Sequence, residues 1–261
     1  MPDSWDPEVY ERFKAERTQP FDDLLALVDP APGGAAVDLG CGTGELTRRL
    51  HEHLGAATTL GVDSSAEMLG RSEAFAGGGV SFSRADIGTF VEPDGFDVVL
   101  ANAALHWVPD HRDVLARWVA SLRPGGQLAV QVPANADHAS HLLVAEVAAE
   151  EPFASALVAP LRPDPVAMNV LRPEEYALVL HDLGATHQHV RLQVYAHMLP
   201  STGGVADWTA GTTLTRVRDV LPDELWDAYL ERYRSRLVEV LGERSPFLYP
   251  FKRILLRARF G

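Results

Sequence analysis

At 261 residues, with 46% hydrophobic and 23% charged residues, the chain is long enough for one large α/β domain or two small ones. Its 36 acidic against 23 basic residues give a net charge of −13, the opposite of the basic surplus a nucleic-acid binder shows, although a local pocket can still take an anion. A single cysteine, Cys41, excludes an internal disulfide, and no apolar run of bilayer length or secretory leader is visible, so no membrane partner and a cytoplasmic location are expected.

The N-terminal stretch "VYERFKAERTQP" places Tyr10, Phe13, Lys14 and Arg17 on one helical face. Short β-like runs follow at 35–40, 58–63, 80–86, 96–102 and 127–133. Between them "GELTRRLHEHL", "SAEMLGRSEAF" and "DVLARWVASL" have helical spacing, and "RPGG" (123–126) is read as a glycine turn closing the last of these helices. Strand and helix in alternation predict a parallel sheet covered on both faces. Helices are then predicted in "HASHLLVAEVAAEE", in "RPEEYALVLHDLG" and around Leu225, Trp226, Tyr229, Tyr233 and Leu237. The run 186–199 alternates Val190, Leu192, Val194, Ala196 and Met198 with mostly polar residues, the pattern of a half-exposed strand. A last strand is predicted over 250–260.

"VDLGCGTGELT" places Gly40, Gly42 and Gly44 between a strand and a helix, where the backbone can turn tightly and approach a ligand. Asp63 ends the next strand, 19 residues past Gly44, the position from which a carboxylate bonds ribose hydroxyls. The G-x-G-x-G spacing and the absence of a following Gly-Lys-Ser/Thr argue against a nicotinamide site and a P-loop. Asp38, at the end of the first strand, would repel a pyrophosphate but suits a ligand carrying an amine and a sulfonium. Asp86 in "RADI" stands where it could accept a bond from an adenine amino group. Cys41 reads as a small turn residue. The histidines His187, His189 and His197 lack a ligand pattern, and no metal is expected.

With "VDLGCGTG", "GVDSS", "ADI" and "LRPGG" in these places, the chain resembles class I S-adenosylmethionine-dependent methyltransferases. The resemblance implies an α/β fold: a Rossmann-like, seven-stranded, mostly parallel sheet with helices on both faces. It implies S-adenosyl-L-methionine as cofactor, held by Tyr10, Arg17, Asp38, Gly40, Gly42, Gly44, Asp63, Ser64, Asp86, Ile87 and Asn102. "WDPEVYERFKAERTQPF", "ANAALHWVPDH", "LAVQVPAN", "YAHML" and "YPFKR" further resemble the trans-aconitate 2-methyltransferase family, which methylates one carboxylate of a small unsaturated tricarboxylic acid. The expected organisation is one domain: an N-terminal lid helix (1–30), a cofactor-binding core (31–135), helical insertions capping the acceptor site (136–185 and 200–245) and the last two strands (186–199 and 250–260).

A carboxylate acceptor, with a pKa near ~4, is already anionic at neutral pH and needs no general base. The enzyme must align reactants and clamp the remaining carboxylates, which supplies on the order of 7–11 kcal/mol. His106 and Trp107, at the carboxyl end of the fourth strand, are the expected positioning residues and substrate contacts. Tyr195, His197, Arg218 (or its neighbour Arg216) and Arg253 complete the expected substrate site. Two alternatives stay open: a hydroxyl or amine acceptor with His106 as general base, and a non-catalytic cofactor-binding module. The substrate is expected to be small and anionic; the oligomeric state is open, a monomer being compatible.

Overall fold

Four short strands and three long ones build a seven-stranded sheet: β1 (Ala35–Leu39), β2 (Thr58–Asp63), β3 (Val80–Arg84), β4 (Phe96–Asn102), β5 (Leu122–Pro133), β6 (Ala185–Leu199) and β7 (Phe247–Phe260). The computed structural model describes residues 14–261, with side chains from residue 18 onward. The order is β3-β2-β1-β4-β5-β7-β6. Strands β1 to β5 pair in parallel and β7 runs antiparallel to β5. The parallel pairing expected from the strand–helix rhythm, and the Rossmann-like seven-stranded sheet that the resemblance implies, are therefore the observed ones.

The described residues form two compact units. The first holds Thr18–Pro133, Asn169–Gln193 and Arg253–Gly261. Its central strands are buried on both faces, so Val98, Leu100 and Ala129 pack with Phe21, Leu24, Leu50, Leu54 and Leu255. Apolar burial of this kind stabilises a fold by about 25 cal/mol per Å². Helices Lys14–Leu25, Glu45–Leu54 and His111–Ala120 supply much of the covering surface. The second unit holds Ala134–Met168 and Val194–Lys252. There the helices Ala139–Ala148 and Asp223–Leu241 pack together. The hydroxyls of Tyr229 and Tyr233 donate to the carbonyls of Val144 (2.9 Å) and Ser140 (2.7 Å), so both phenols are buried without a lost hydrogen bond.

Two expectations need correcting. "RPGG" does not close the helix, which ends at Ala120 with Ser121 as its cap. It belongs to β5, where the register shifts between the pairs Phe96–Leu122 and Val98–Gln127. Gly125, at φ 83°, absorbs the extra residues of this bulge. In β6 the apolar row is the outward one: Leu192, Val194 and Met198 are exposed, whereas Tyr195, His197 and Leu199 are buried. The reason is aromatic packing, since the His197 ring stacks on Trp208 at 4.5 Å and lies near Tyr195 and Phe251. No helix among the described residues is long and apolar enough to cross a membrane.

Candidate active site

The strand order reverses between β1 and β4, which lie side by side with their continuations leading in opposite directions. In open α/β sheets ligands bind at this crevice, beyond the carboxyl ends of the strands. The loop after β1 carries the three glycines and the turn after β4 carries His106 and Trp107.

The two segments meet closely. A Cβ on Gly40 would stand 2.2 Å from the Cβ of Ala104, so only glycine lets the β1 loop pass this point. At Gly42, φ is 54° and no atom lies within 4 Å of where a Cβ would project. The backbone there borders open space, as a ligand-cradling loop requires. Gly40 and Cys41 donate their N–H groups to the Val62 carbonyl at 2.7 and 3.0 Å, which ties the loop to β2.

Asp63 completes that tie. Its Oδ2 accepts from the Gly42 N–H at 2.9 Å and its Oδ1 from the Ser65 N–H at 2.8 Å, so the carboxylate is fixed at the mouth of the loop. Ser64 is exposed beside it. Asp38 is buried and accepts from the Thr47 hydroxyl at 2.6 Å. Burial pushes its pKa up to about 6 against the pull of the Thr47 bond, and the neighbouring Asp63 charge adds to the rise. The Cys41 thiol is pushed far up by burial and by both carboxylates, which makes it unreactive as a nucleophile. Asp86 lies just past β3, with Oδ1 accepting from the Gly88 N–H at 2.9 Å, and the carbonyl of the buried Ile87 accepts from the Trp118 indole. The Oδ1 of Asn102, at the end of β4, is buried with no hydrogen-bond partner among the described residues.

Acidic and acceptor groups therefore surround the crevice around the glycine loop. This set of acceptors fits a ligand with ribose hydroxyls, an ammonium and a sulfonium, and Gly42 leaves space for it. Tyr10 lies outside the described residues, as does the side chain of Arg17.

His106 sits in a 3-10 turn, Leu105–Trp107, with its ring 4.7 Å from that of Trp107. His106 is 7% exposed and Trp107 59% exposed. The turn is held from below by His111, which the sequence reading missed. Its Nε2 donates to the Leu105 carbonyl at 2.9 Å, which leaves Nδ1 to accept from the Tyr176 hydroxyl at 2.7 Å. Burial lowers the His111 pKa and keeps the ring neutral. Asn169 adds a bond from Nδ2 to the His106 carbonyl at 2.9 Å. The only sequence signal for His111 was an imidazole at a helix start.

Arg253 lies on β7 opposite Pro133 and is 8% exposed, with Nη1 3.4 Å from the Oε1 of Gln131. Arg218, in the second unit, pairs with Asp223 at 2.7 Å and lies over the Trp226 ring. Its neighbour Arg216 is buried, with long contacts to the carbonyls of His141 and Arg162. Tyr195 and His197 are buried in the aromatic group already described. His187 and His189 are exposed.

Comparison with known proteins agrees with this geometry. Residues 36–126 match the model of the methyltransferase domain family. The chain is 42% identical over 258 residues to the trans-aconitate 2-methyltransferase of Deinococcus radiodurans, covering 98% of both chains. It is 37% identical over 264 residues to the protein of that name from Mycobacterium tuberculosis, covering 98% of this chain and 97% of the relative. Its fold is similar, at a TM-score of 0.57 and 15% identity, to Haemonchus contortus phosphoethanolamine N-methyltransferase 2 in complex with S-adenosyl-L-methionine, over 93% of this chain and 52% of that one.

Proposed function

Because the chain belongs to the trans-aconitate 2-methyltransferase family of class I S-adenosylmethionine-dependent methyltransferases, we propose that it forms a methyl ester on one carboxylate of a small polycarboxylic acid, with trans-aconitate as the acceptor. The observation that carries this reading is the full-length identity of 37–42% to relatives named for that reaction, beyond the matched domain. When bound, S-adenosylmethionine supplies a methyl group on a sulfonium sulfur, which an anionic carboxylate oxygen can take without losing a proton.

The residues then divide the work. Asp63 receives the ribose hydroxyls, Asp86 with Ile87 and Ser64 borders the adenosine, and Asp38 and Asn102 face the positively charged end. Gly40, Gly42 and Gly44 let the backbone approach. Arg253, a buried guanidinium where β7 pairs with the end of β5, clamps an acceptor carboxylate. The clamp is assigned to Arg253 because it is buried beside Gln131 at the end of β5, whereas Arg218 pairs with Asp223. His106 orients the acceptor as a hydrogen-bond donor and Trp107 walls the turn. A carboxylate gives a base nothing to remove, so no observation favours His106 as a general base.

A methyl-transfer assay against mono-, di- and tricarboxylates, hydroxyl compounds and amines, with mass spectrometry of the products, tests this. Methyl ester formation on a tricarboxylate is expected. Turnover confined to hydroxyls or amines would overturn the proposal.

A further inference from the structure

Asn102 and Gln131 occupy paired register positions at the carboxyl ends of β4 and β5. In a parallel pair such residues project from the same face of the sheet. Gln131 is fully buried, and around it β5 is otherwise apolar: Leu128, Ala129, Val130 and Val132 are all buried. A lone amide in that run leaves a buried donor to be satisfied. Its Oε1 faces the guanidinium of Arg253 at 3.4 Å, and its Nε2 has no hydrogen-bond partner among the described residues. The Oδ1 of the neighbouring Asn102 is in the same condition, yet the two amides do not bond each other.

An unsatisfied buried donor costs stability unless something else supplies its partner. A donor beside a guanidinium matches a planar anion with two oxygens, one for each. We infer that Gln131 is a specificity-determining residue of the acceptor site: its Oε1 orients Arg253, and its Nε2 donates to the same acceptor carboxylate that Arg253 binds. The inference rests on the polycarboxylate reading above. Gln131 lies one strand further from the glycine loop than Asn102, and its Oε1 meets Arg253, so it is assigned to the acceptor.

The test uses the full-length protein, a polycarboxylate that the unaltered enzyme methylates, and the same acid with one further carboxylate esterified. Gln131→Leu is expected to raise KM for the free acid about tenfold or more. It should leave KM for the partial ester and the affinity for S-adenosylhomocysteine within about twofold. Gln131→Glu, nearly isosteric, places a carboxylate against Arg253 and is expected to raise KM further, with an unchanged melting temperature. If the Leu variant does not fold, the Glu variant alone decides. Equal losses for free acid and ester, or a loss in kcat alone, would overturn the role of Gln131. An unaltered enzyme that methylates no polycarboxylate would instead overturn the reading of the acceptor.

Discussion

The Nε2 of His111 donates to the carbonyl of Leu105 at 2.9 Å, and through that bond a neutral, buried imidazole sets the turn that carries His106. Because a carbonyl only accepts, the bond fixes the tautomer, and the Tyr176 hydroxyl then donates to Nδ1. Replacing His111 with Phe removes both of its hydrogen bonds, leaving the Leu105 carbonyl to the Val108 N–H alone and the buried Tyr176 hydroxyl without its imidazole partner, and is expected to cost about 1–3 kcal/mol in denaturant unfolding. It should lower kcat while cofactor affinity, read by calorimetry, stays within about twofold.

The same residue gives the stability curve a sign. Its folded pKa lies below the ordinary histidine value, so its contribution is full above about pH 6.5. That contribution is lost as pH falls through the folded pKa. The part of the unfolding free energy due to His111 should fall as pH drops below about 6.5, and it should vanish in His111→Gln; an unchanged slope in that variant would exclude this origin.

Asp38 acts in the opposite direction. With a folded pKa of about 6 against an ordinary 3.8, it favours folding below about pH 4, and this advantage is lost as pH rises through 6. The effect is of order 2–3 kcal/mol. A positively charged ligand beside Asp38 favours the ionised form, so cofactor binding should tighten as pH rises from 5 to 7 and release up to one proton. Calorimetry in buffers of different ionisation enthalpy reads that proton, and Asp38→Asn should flatten the dependence.

For Asp63, removal strips the Gly42 and Ser65 N–H groups of their acceptor at 2.9 and 2.8 Å. Bonds to a charged acceptor contribute about 1.5–3 kcal/mol. Asp63→Ala should therefore abolish measurable cofactor binding by calorimetry, and binding of normal strength would refute the cofactor assignment.

The clamp is tested by Arg253→Lys, which keeps charge and loses the planar fork. KM for a polycarboxylate should rise about tenfold or more, with cofactor affinity nearly unaltered; if neither KM nor specificity changes, the clamp lies elsewhere.

Some of this molecule can be read directly from its residues. Strand–helix alternation fixes the parallel sheet, because crossover helices must cover both faces. The glycines and Asp63 mark the cofactor end through local backbone demands, as the 2.2 Å approach at Gly40 illustrates. His106 and Trp107 were legible as residues that follow the fourth strand. Other features had no local signal. The outward apolar row of β6 contradicts its own alternation, because the His197 and Trp208 rings, distant in sequence, stack and reverse the strand's faces. The isolated glutamine of "LAVQVP" is an oddity until β7 brings Arg253 against it. Sequence by itself determined the parallel sheet and the glycine loop, set by period, turn chemistry and spacing along the chain, and its motifs carried the resemblance to the family. Only the tertiary structure decided which buried polar groups meet, since partners such as Gln131 and Arg253, or His111 and Tyr176, are joined by packing across the fold and not by nearness in the chain.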